Sequence, residues 1–223
     1  MGSVPIFAAL ALVVAAQVAP SPQQLASYTG LHRAAARGDT DELKAILARR
    51  VKPDVRDAFR RTPLHVAAYQ RQHEAMRVLV AAGADPNALE HERYDIVTIA
   101  AVANDLPTLR LALALGTSAK NITSRYEGTA LIAAAHLGHA EVVRVLIRAG
   151  APLDHVNNLG WTALIESIVL GDGGPAHVET LRALVEAGAN VGIPDRESRT
   201  PLALARARRF AEMEGILEAA GAR

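Results

Sequence analysis

The sequence contains no cysteine. This absence excludes disulfide bridges, zinc sites with thiolate ligands and cysteine nucleophiles. Aromatic residues make up only 4% of the 223 residues, and the formal net charge is +1. A chain so close to neutrality has no overall field that would attract nucleic acid or anionic lipid. Because no pattern of stacking aromatics accompanies its basic residues, we expect no nucleic-acid partner.

The sequence also lacks the short motifs of several large enzyme classes. It has no glycine-rich phosphate loop, no Gly-x-Ser-x-Gly elbow and no His-Glu-x-x-His pair. Its one glycine cluster, at 171–174, coincides with an insertion in the repeat pattern described below, and a longer loop between helices explains it. We therefore expect no enzymatic activity and no cofactor.

What the sequence does contain is an aliphatic position that recurs with a period near 33 residues. It returns at spacings of 33, 33, 34, 33 and 38 residues, as Leu31, Leu64, Val97, Leu131, Leu164 and Leu202. A second landmark, glycine in all but the first unit, follows nineteen residues later in five units and twenty-four later in the fifth. The fifth unit therefore carries an insertion of five residues, roughly 173–177. A fixed period of this kind indicates a stack of similar units, each covering the apolar face of the next.

The residues between the landmarks resemble the ankyrin repeat. The best copy of its first half is the run Thr62-Pro63-Leu64-His65, and residues 138–151 supply its second half. The resemblance implies an all-α solenoid of about six helix-turn-helix units with β-turn fingers. It covers residues 29–223, with repeats at about 29–60, 61–93, 94–127, 128–160, 161–198 and 199–223. The sequence departs from the family at Arg50, where glycine is expected, and in the third unit, where Asp95 stands in the place of threonine.

The repeat pattern leads to local expectations. The fourth unit should have helices at 129–136 and 140–149, and Gly150 should end the second helix in the left-handed conformation that glycine tolerates best. The resemblance implies that His32 and His65 make hydrogen bonds between adjacent turns.

The N-terminus contains an apolar run without charge at residues 4–16, followed by prolines and polar residues at 20–24. As a helix this run would span about 20 Å, which is short of the ~30 Å hydrocarbon core of a bilayer. The pattern is typical of a secretory signal peptide over residues 1–19, cleaved after Ala16 or Ala19, with a linker at 20–28. Arginine outnumbers lysine 21 to 3, as in GC-rich bacterial genomes. We therefore expect a periplasmic or secreted bacterial protein that has no membrane association after cleavage.

Two alternatives for the N-terminus stay open, because the first three residues carry no lysine or arginine. The apolar run could be a helix that packs on the first repeat. It could also remain uncleaved and tether an adaptor to a membrane.

Positions that the repeat does not fix lie at the turn tips and along the concave side of the first helices. Aromatic and arginine side chains at such positions are typical anchors of protein interfaces. Our candidate partner-binding residues are Phe59, Arg60, Tyr69, Arg93, Tyr94, Tyr126, Leu159 and Trp161. We expect Arg60, Arg93, Arg125 and Glu166 to give this surface its specificity. The predicted function is that of a non-catalytic, monomeric scaffold that binds another protein.

A metal-dependent hydrolase is the alternative hypothesis. His136, His139 and His177 could approach one another across neighbouring units. Three histidines that leave one coordination position open form a known catalytic zinc site. His139 also fits the ordinary Gly-His pair of the repeat, and no carboxylate is placed by the motif to orient a ligand. We therefore expect no bound metal.

Overall fold

The computed structural model describes residues 19–223 and contains thirteen α-helices within that range. In chain order they are α1 (Pro22–Ser27), α2 (Gly30–Arg37), α3 (Thr40–Ala48), α4 (Pro63–Tyr69), α5 (His73–Ala81), α6 (Ile96–Val102), α7 (Leu106–Ala114), α8 (Ala130–His136), α9 (Ala140–Arg148), α10 (Ala163–Val169), α11 (Pro175–Glu186), α12 (Pro201–Arg208) and α13 (Ala211–Ala219). The described part of the chain has one isolated β-bridge, between Thr123 and Gly128. Apart from Ala19, the predicted signal peptide lies outside the described residues.

From α2 onward the helices form six consecutive pairs, one for each predicted repeat. The first helix of every pair contacts the first helices of the neighbouring pairs. The six landmark residues are all at most 3% exposed, and the buried apolar side chains form one continuous cluster from Leu31 to Leu217. The predicted all-α solenoid is therefore confirmed, with a core that runs as a seam along the stack.

Five of the six first helices begin at a residue whose side chain accepts a hydrogen bond from the backbone N–H three residues later. This holds for Thr62, Asp95, Thr129, Thr162 and Thr200. A cap of this kind contributes about 1 kcal/mol to stability. Asp95 thus performs the structural role of the threonine that the motif would place there.

Each of the first five helix pairs is followed by a finger, a tight turn that one polar side chain holds closed. In the first finger, Asp57 Oδ1 accepts hydrogen bonds from the backbone N–H groups of Phe59 and Arg61, at 2.8 and 2.9 Å. The same two backbone bonds are made in the later fingers by Glu90, Ser124, Asn157 and Asp195. The fingers are the residues 57–61, 90–94, 124–128, 157–161 and 195–199.

The expected details of the fourth repeat are confirmed to within one residue at each helix end. Helices α8 and α9 begin at Ala130 and Ala140, and Gly150 has a left-handed φ of 80°. The predicted inter-repeat histidine bonds are also present. His32 Nε2 lies 2.9 Å from the carbonyl oxygen of Arg61, and its counterpart His65 contacts the next finger in the same way.

Two expectations about the connections are wrong. The segment 20–28, expected to be a linker, contains helix α1, because Ser21 and Gln24 form a capping box at its start. Tyr28 then donates a hydrogen bond of 2.7 Å to Asp57, which fixes this segment to the first finger. The insertion near 173–177 is not only a loop, because it extends α11 to twelve residues where the other second helices have nine. Among residues 19–223, no helix has both the length and the apolar character that a membrane span requires.

Candidate functional site

We use the term finger face for the surface formed by the five fingers and the first helices α2, α4, α6, α8, α10 and α12. The predicted partner-binding residues all lie on these elements, but they differ in exposure. Exposed side chains are those of Phe59, Arg60 and Arg93, and half-buried ones are those of Tyr69, Tyr126 and Leu159. The remaining two predicted residues, Tyr94 and Trp161, are buried.

The assignment of Tyr94 and Trp161 to a partner-binding groove is therefore wrong. Their exposed fractions are 7% and 9%, and both belong to the continuous core cluster. They occupy the last position of a finger, directly before the helix cap, where the side chain turns inward. The equivalent Arg61 is only 1% exposed, and its Nε lies 2.8 Å from Asp57 Oδ2. At Arg61, Tyr94 and Trp161 this position holds the finger onto its repeat, and there it is structural.

The fourth residue of every finger has a left-handed backbone. The φ angles are 59° at Arg60, 66° at Arg93, 55° at Glu127, 85° at Gly160 and 61° at Ser198. This conformation costs a residue with a Cβ atom roughly 1–2 kcal/mol, whereas glycine adopts it freely. Four of the five fingers nevertheless carry a side chain at this position.

The arginines of the finger face fall into two groups. Arg60 and Arg93 are exposed, and within residues 19–223 neither guanidinium has an ion-pair partner. Arg125, expected to contribute to specificity, is instead paired with Glu92 of the preceding finger, with Nε 2.9 Å from Oε2. Arg60 and Arg93 are therefore available to a partner without breaking an existing ion pair.

Apolar side chains accompany these arginines. Phe59 is 42% exposed, and the guanidinium of Arg61 lies beneath its ring, 4.6 Å from the centroid. Large exposed apolar residues also precede three fingers, at Val55, Ile122 and Val156. A surface that combines apolar side chains with free cations has the composition of a protein interface.

A cavity of about 50 Å³ opens on the finger face between the third, fourth and fifth repeats. Its lining includes Tyr94, Tyr126, Gly128, His136 and Glu166. Glu166 was expected to be exposed, but it is only 4% exposed. Gly128 was not among the predicted site residues, although the sequence distinguishes its position: the other fingers have arginine, tyrosine or tryptophan there.

Two titratable groups face each other in this cavity. His136 Nδ1 lies 3.6 Å from Glu166 Oε2, and Asn157 donates a hydrogen bond of 2.9 Å to Oε1 of the same carboxyl. Burial raises the pKa of Glu166 to about 7, and burial together with nearby His177 lowers the pKa of His136 to about 4. Both groups are thus displaced toward their neutral forms, because water is excluded from them.

The three histidines of the metal hypothesis do not converge. His177 Nε2 lies 3.0 Å from the carbonyl oxygen of His136, and its Nδ1 lies 2.9 Å from Asp172. His139 Nδ1 lies 3.0 Å from the carbonyl oxygen of Ala101. The rings of His139 and His177 therefore have separate structural contacts. Across residues 19–223, no group of three or more histidine, aspartate or glutamate side chains is arranged to hold a metal ion.

The comparisons with known proteins agree with this architecture. The family model described as ankyrin repeats in three copies matches residues 7–90 and 97–195. An ankyrin repeat domain from Acinetobacter baumannii is 43% identical, with a TM-score of 0.81 over 86% of this chain and 98% of that one. The ankyrin repeat domain of Bcl-3 is 26% identical, with a TM-score of 0.78 and 88% of both chains covered.

A curated relative from Escherichia coli K12, the ankyrin repeat protein YahD, is 39% identical over 103 residues. The match covers 46% of this chain and 51% of that relative, so the chain spans about half of its length. The family model covers well over half of the present sequence, and its two matched segments fall on the first five of the six helix pairs. The chain belongs to the ankyrin repeat family.

Proposed function

We propose that this chain is a non-catalytic binding protein that holds another protein on its finger face, outside the cytoplasm. Ankyrin repeats generally serve as protein–protein interaction modules. The fold alone does not determine a function, so the proposal rests on the surface of this chain.

The observation that carries the proposal is the pair Arg60 and Arg93. Both residues hold a left-handed backbone that glycine would adopt without strain. Neither side chain forms an ion pair with another of the described residues. Backbone strain that no internal contact offsets is characteristic of functional positions. Both guanidinium groups are therefore suited to contact carboxylates or carbonyl oxygens of a bound protein.

The aromatic side chains Phe59 and Tyr126 complete this surface. Consecutive fingers are joined by backbone hydrogen bonds, as from His91 N–H to the Phe59 carbonyl at 3.0 Å and from Asn158 N–H to the Tyr126 carbonyl at 2.9 Å. The fingers are thus ordered before a partner arrives. Binding to a pre-ordered surface loses little conformational entropy, which favours affinity.

Affinity capture tests the proposal. Immobilised protein is compared with the double variant Phe59→Ala/Tyr126→Ala, and captured proteins are identified by mass spectrometry. Val51→Ala is the matched control, because Val51 is 38% exposed and lies before the first finger. We expect a protein that the original chain and the control retain and the double variant loses. Equal retention by all three folded proteins would refute the finger face as the binding surface.

Export is supported by the apolar run at 4–16 and by the breaker residues that follow it. The alternative is that the run is retained in the mature protein, and the family match, which begins at residue 7, extends into it. N-terminal sequencing of the protein purified from its source distinguishes the two. A chain that starts at Gln17 or Pro20 supports export, and an intact Met1 contradicts it.

A further inference from the structure

The cavity on the finger face exists because the fourth repeat has two small residues side by side. Gly128 stands where the neighbouring fingers have Tyr94 and Trp161. Ala133 lines the same space, and the equivalent position of the third repeat is occupied by Ile99. The large side chains that fill the seam elsewhere are therefore missing at this point, and about 50 Å³ stays open.

The cavity contains a buried acceptor without a partner. Glu166 Oε1 accepts the hydrogen bond from Asn157, but Oε2 is buried and accepts none. The side chain of Glu166 is only 6% exposed. Leaving a buried polar atom unsatisfied costs about 1–3 kcal/mol, and more for a charged group. A carboxyl in this state is suited to a donor that enters from outside.

The cavity is accessible to such a donor. Four of its lining residues, Ser124, Tyr126, Ala133 and His136, are partly exposed, so it opens to solvent between the third finger and helix α8. One buried water needs ~10–15 Å³. The open volume therefore accepts a group considerably larger than one water molecule.

We propose that this cavity takes one arginine side chain of the protein bound on the finger face. The inference rests on the proposed function and specifies the chemistry of its partner. A guanidinium carries several N–H donors in one plane and remains charged when it is buried. One donor would reach Glu166 Oε2, and the charge would lie next to the aromatic ring of Tyr126, which attracts cations.

Other side chains fit this cavity less well. An apolar group would fill the space but leave Glu166 Oε2 buried and unpaired. An ionised acidic group has no hydrogen-bond donor, so it could not satisfy Glu166 Oε2. A lysine ammonium could reach the carboxyl, but it is more strongly hydrated and lacks the flat shape that stacks on aromatic rings.

The test uses N-acetyl-L-arginine amide as the probe, added to the full chain and followed by NMR at the amide signals of Gly128 and Asn157. The citrulline derivative has the same shape without the charge, and the lysine derivative has the charge without the planar fork. We expect saturable shifts with the arginine derivative, with a Kd on the order of millimolar, and at least roughly tenfold weaker binding of citrulline. Lysine should also bind more weakly than arginine.

Three variants assign the effect to this cavity. Glu166→Gln keeps the shape and should weaken arginine binding at least roughly tenfold. Gly128→Tyr introduces the side chain that the third repeat has at this position and should abolish binding. Gly128→Ala is the milder variant to use if the tyrosine variant does not fold. Its added Cβ would lie 3.5 Å from Ser124 Oγ, which is an ordinary contact.

Several results would overturn the inference. They are the absence of saturable shifts, equal binding of citrulline, tighter binding of lysine, or unchanged arginine binding in Glu166→Gln. These results leave the proposed function standing if the finger variants still lose their captured protein. The opposite case is also distinguishable. If the arginine derivative binds but the finger variants capture the partner as well as the original chain does, only the finger face as the binding surface is refuted.

Discussion

His65 Nε2 lies 3.1 Å from the carbonyl oxygen of Tyr94 and joins the second repeat to the second finger. Because a carbonyl oxygen only accepts hydrogen bonds, Nε2 carries the proton. The other ring nitrogen, Nδ1, then accepts from the Thr62 N–H at 3.1 Å. His65 is therefore neutral in the folded protein, and this single ring both caps a helix and connects two repeats.

This arrangement makes stability depend on pH. Burial lowers the pKa of His65 from 6.5 to about 4. Below pH 6.5 the unfolded chain takes up a proton that the folded chain refuses, so stability falls as the pH decreases. Relative to His65→Gln, the original chain should lose up to about 3 kcal/mol of unfolding free energy between pH 6.5 and 4.

Urea unfolding at a series of pH values measures this difference. His65→Gln is less stable at neutral pH, but it lacks the titrating group. The quantity to follow is the difference between the two unfolding free energies, because other groups titrate equally in both proteins. Parallel curves across this pH range would show that His65 is not held neutral by the fold.

Glu166 gives a pH dependence of opposite sign. Burial raises its pKa from 4.5 to about 7, so the folded chain keeps a proton that the unfolded chain has already lost. The stabilisation present below pH 4.5 is lost as the pH rises to about 7. Glu166→Gln should therefore be more stable than the original chain at pH 8, by up to about 3 kcal/mol.

Thermal or urea unfolding at pH 4.5 and 8 checks this expectation. Glu186→Gln is the control, because Glu186 is an exposed residue near the end of α11. The control should unfold like the original chain at both pH values. If Glu166→Gln is more stable than the original chain by the same amount at pH 4.5 and at pH 8, the claim that burial holds this carboxyl neutral is contradicted.

The burial of Trp161 predicts a large loss of stability on truncation. Trp161→Ala should reduce the free energy of unfolding by about 3–5 kcal/mol, because it leaves a cavity in the core. Phe59→Ala should cost at most about 1 kcal/mol, because Phe59 is 42% exposed. Chemical denaturation of the two variants provides the comparison. Similar losses would mean that Trp161 is not part of the core.

The repeat landmarks allowed the solenoid to be predicted from sequence, because a spacing such as that between Leu31 and Leu64 reflects contacts made in every unit. The same alignment could not tell an outward from an inward side chain at the end of each finger. Tyr94 and Trp161 have the composition of interface anchors, and only three-dimensional packing shows that they face the core. Aromatic character alone does not decide between the two.

The cavity could not be predicted from the sequence, for a related reason. It depends on residues from three repeats, among them Gly128 and Glu166, that come together only when the stack is assembled. The alignment placed Gly128 opposite large side chains, but an absent side chain predicts a space only once its neighbours are known. Helix α1 was missed because a single turn or two of helix in a proline-rich segment has little periodicity to detect.

Arg60 and Arg93, whose backbones are in the left-handed conformation, provide the most direct test of the proposed binding surface. Arg60→Gly/Arg93→Gly removes both free guanidinium groups and also relieves backbone strain. Stability should be unchanged or higher by up to about 1 kcal/mol per site. Arg50→Gly is the matched control, because Arg50 has a left-handed φ of 61° but lies at the end of α3, outside the fingers.

The deciding measurement is calorimetric titration of the captured partner protein into the original chain, Arg60→Gly/Arg93→Gly and Arg50→Gly. Our account predicts binding at least roughly tenfold weaker for the finger variant alone, since hydrogen bonds to charged groups contribute about 1.5–3 kcal/mol. Unchanged affinity in a finger variant that folds at least as stably as the original chain would contradict the claim that this surface binds the partner.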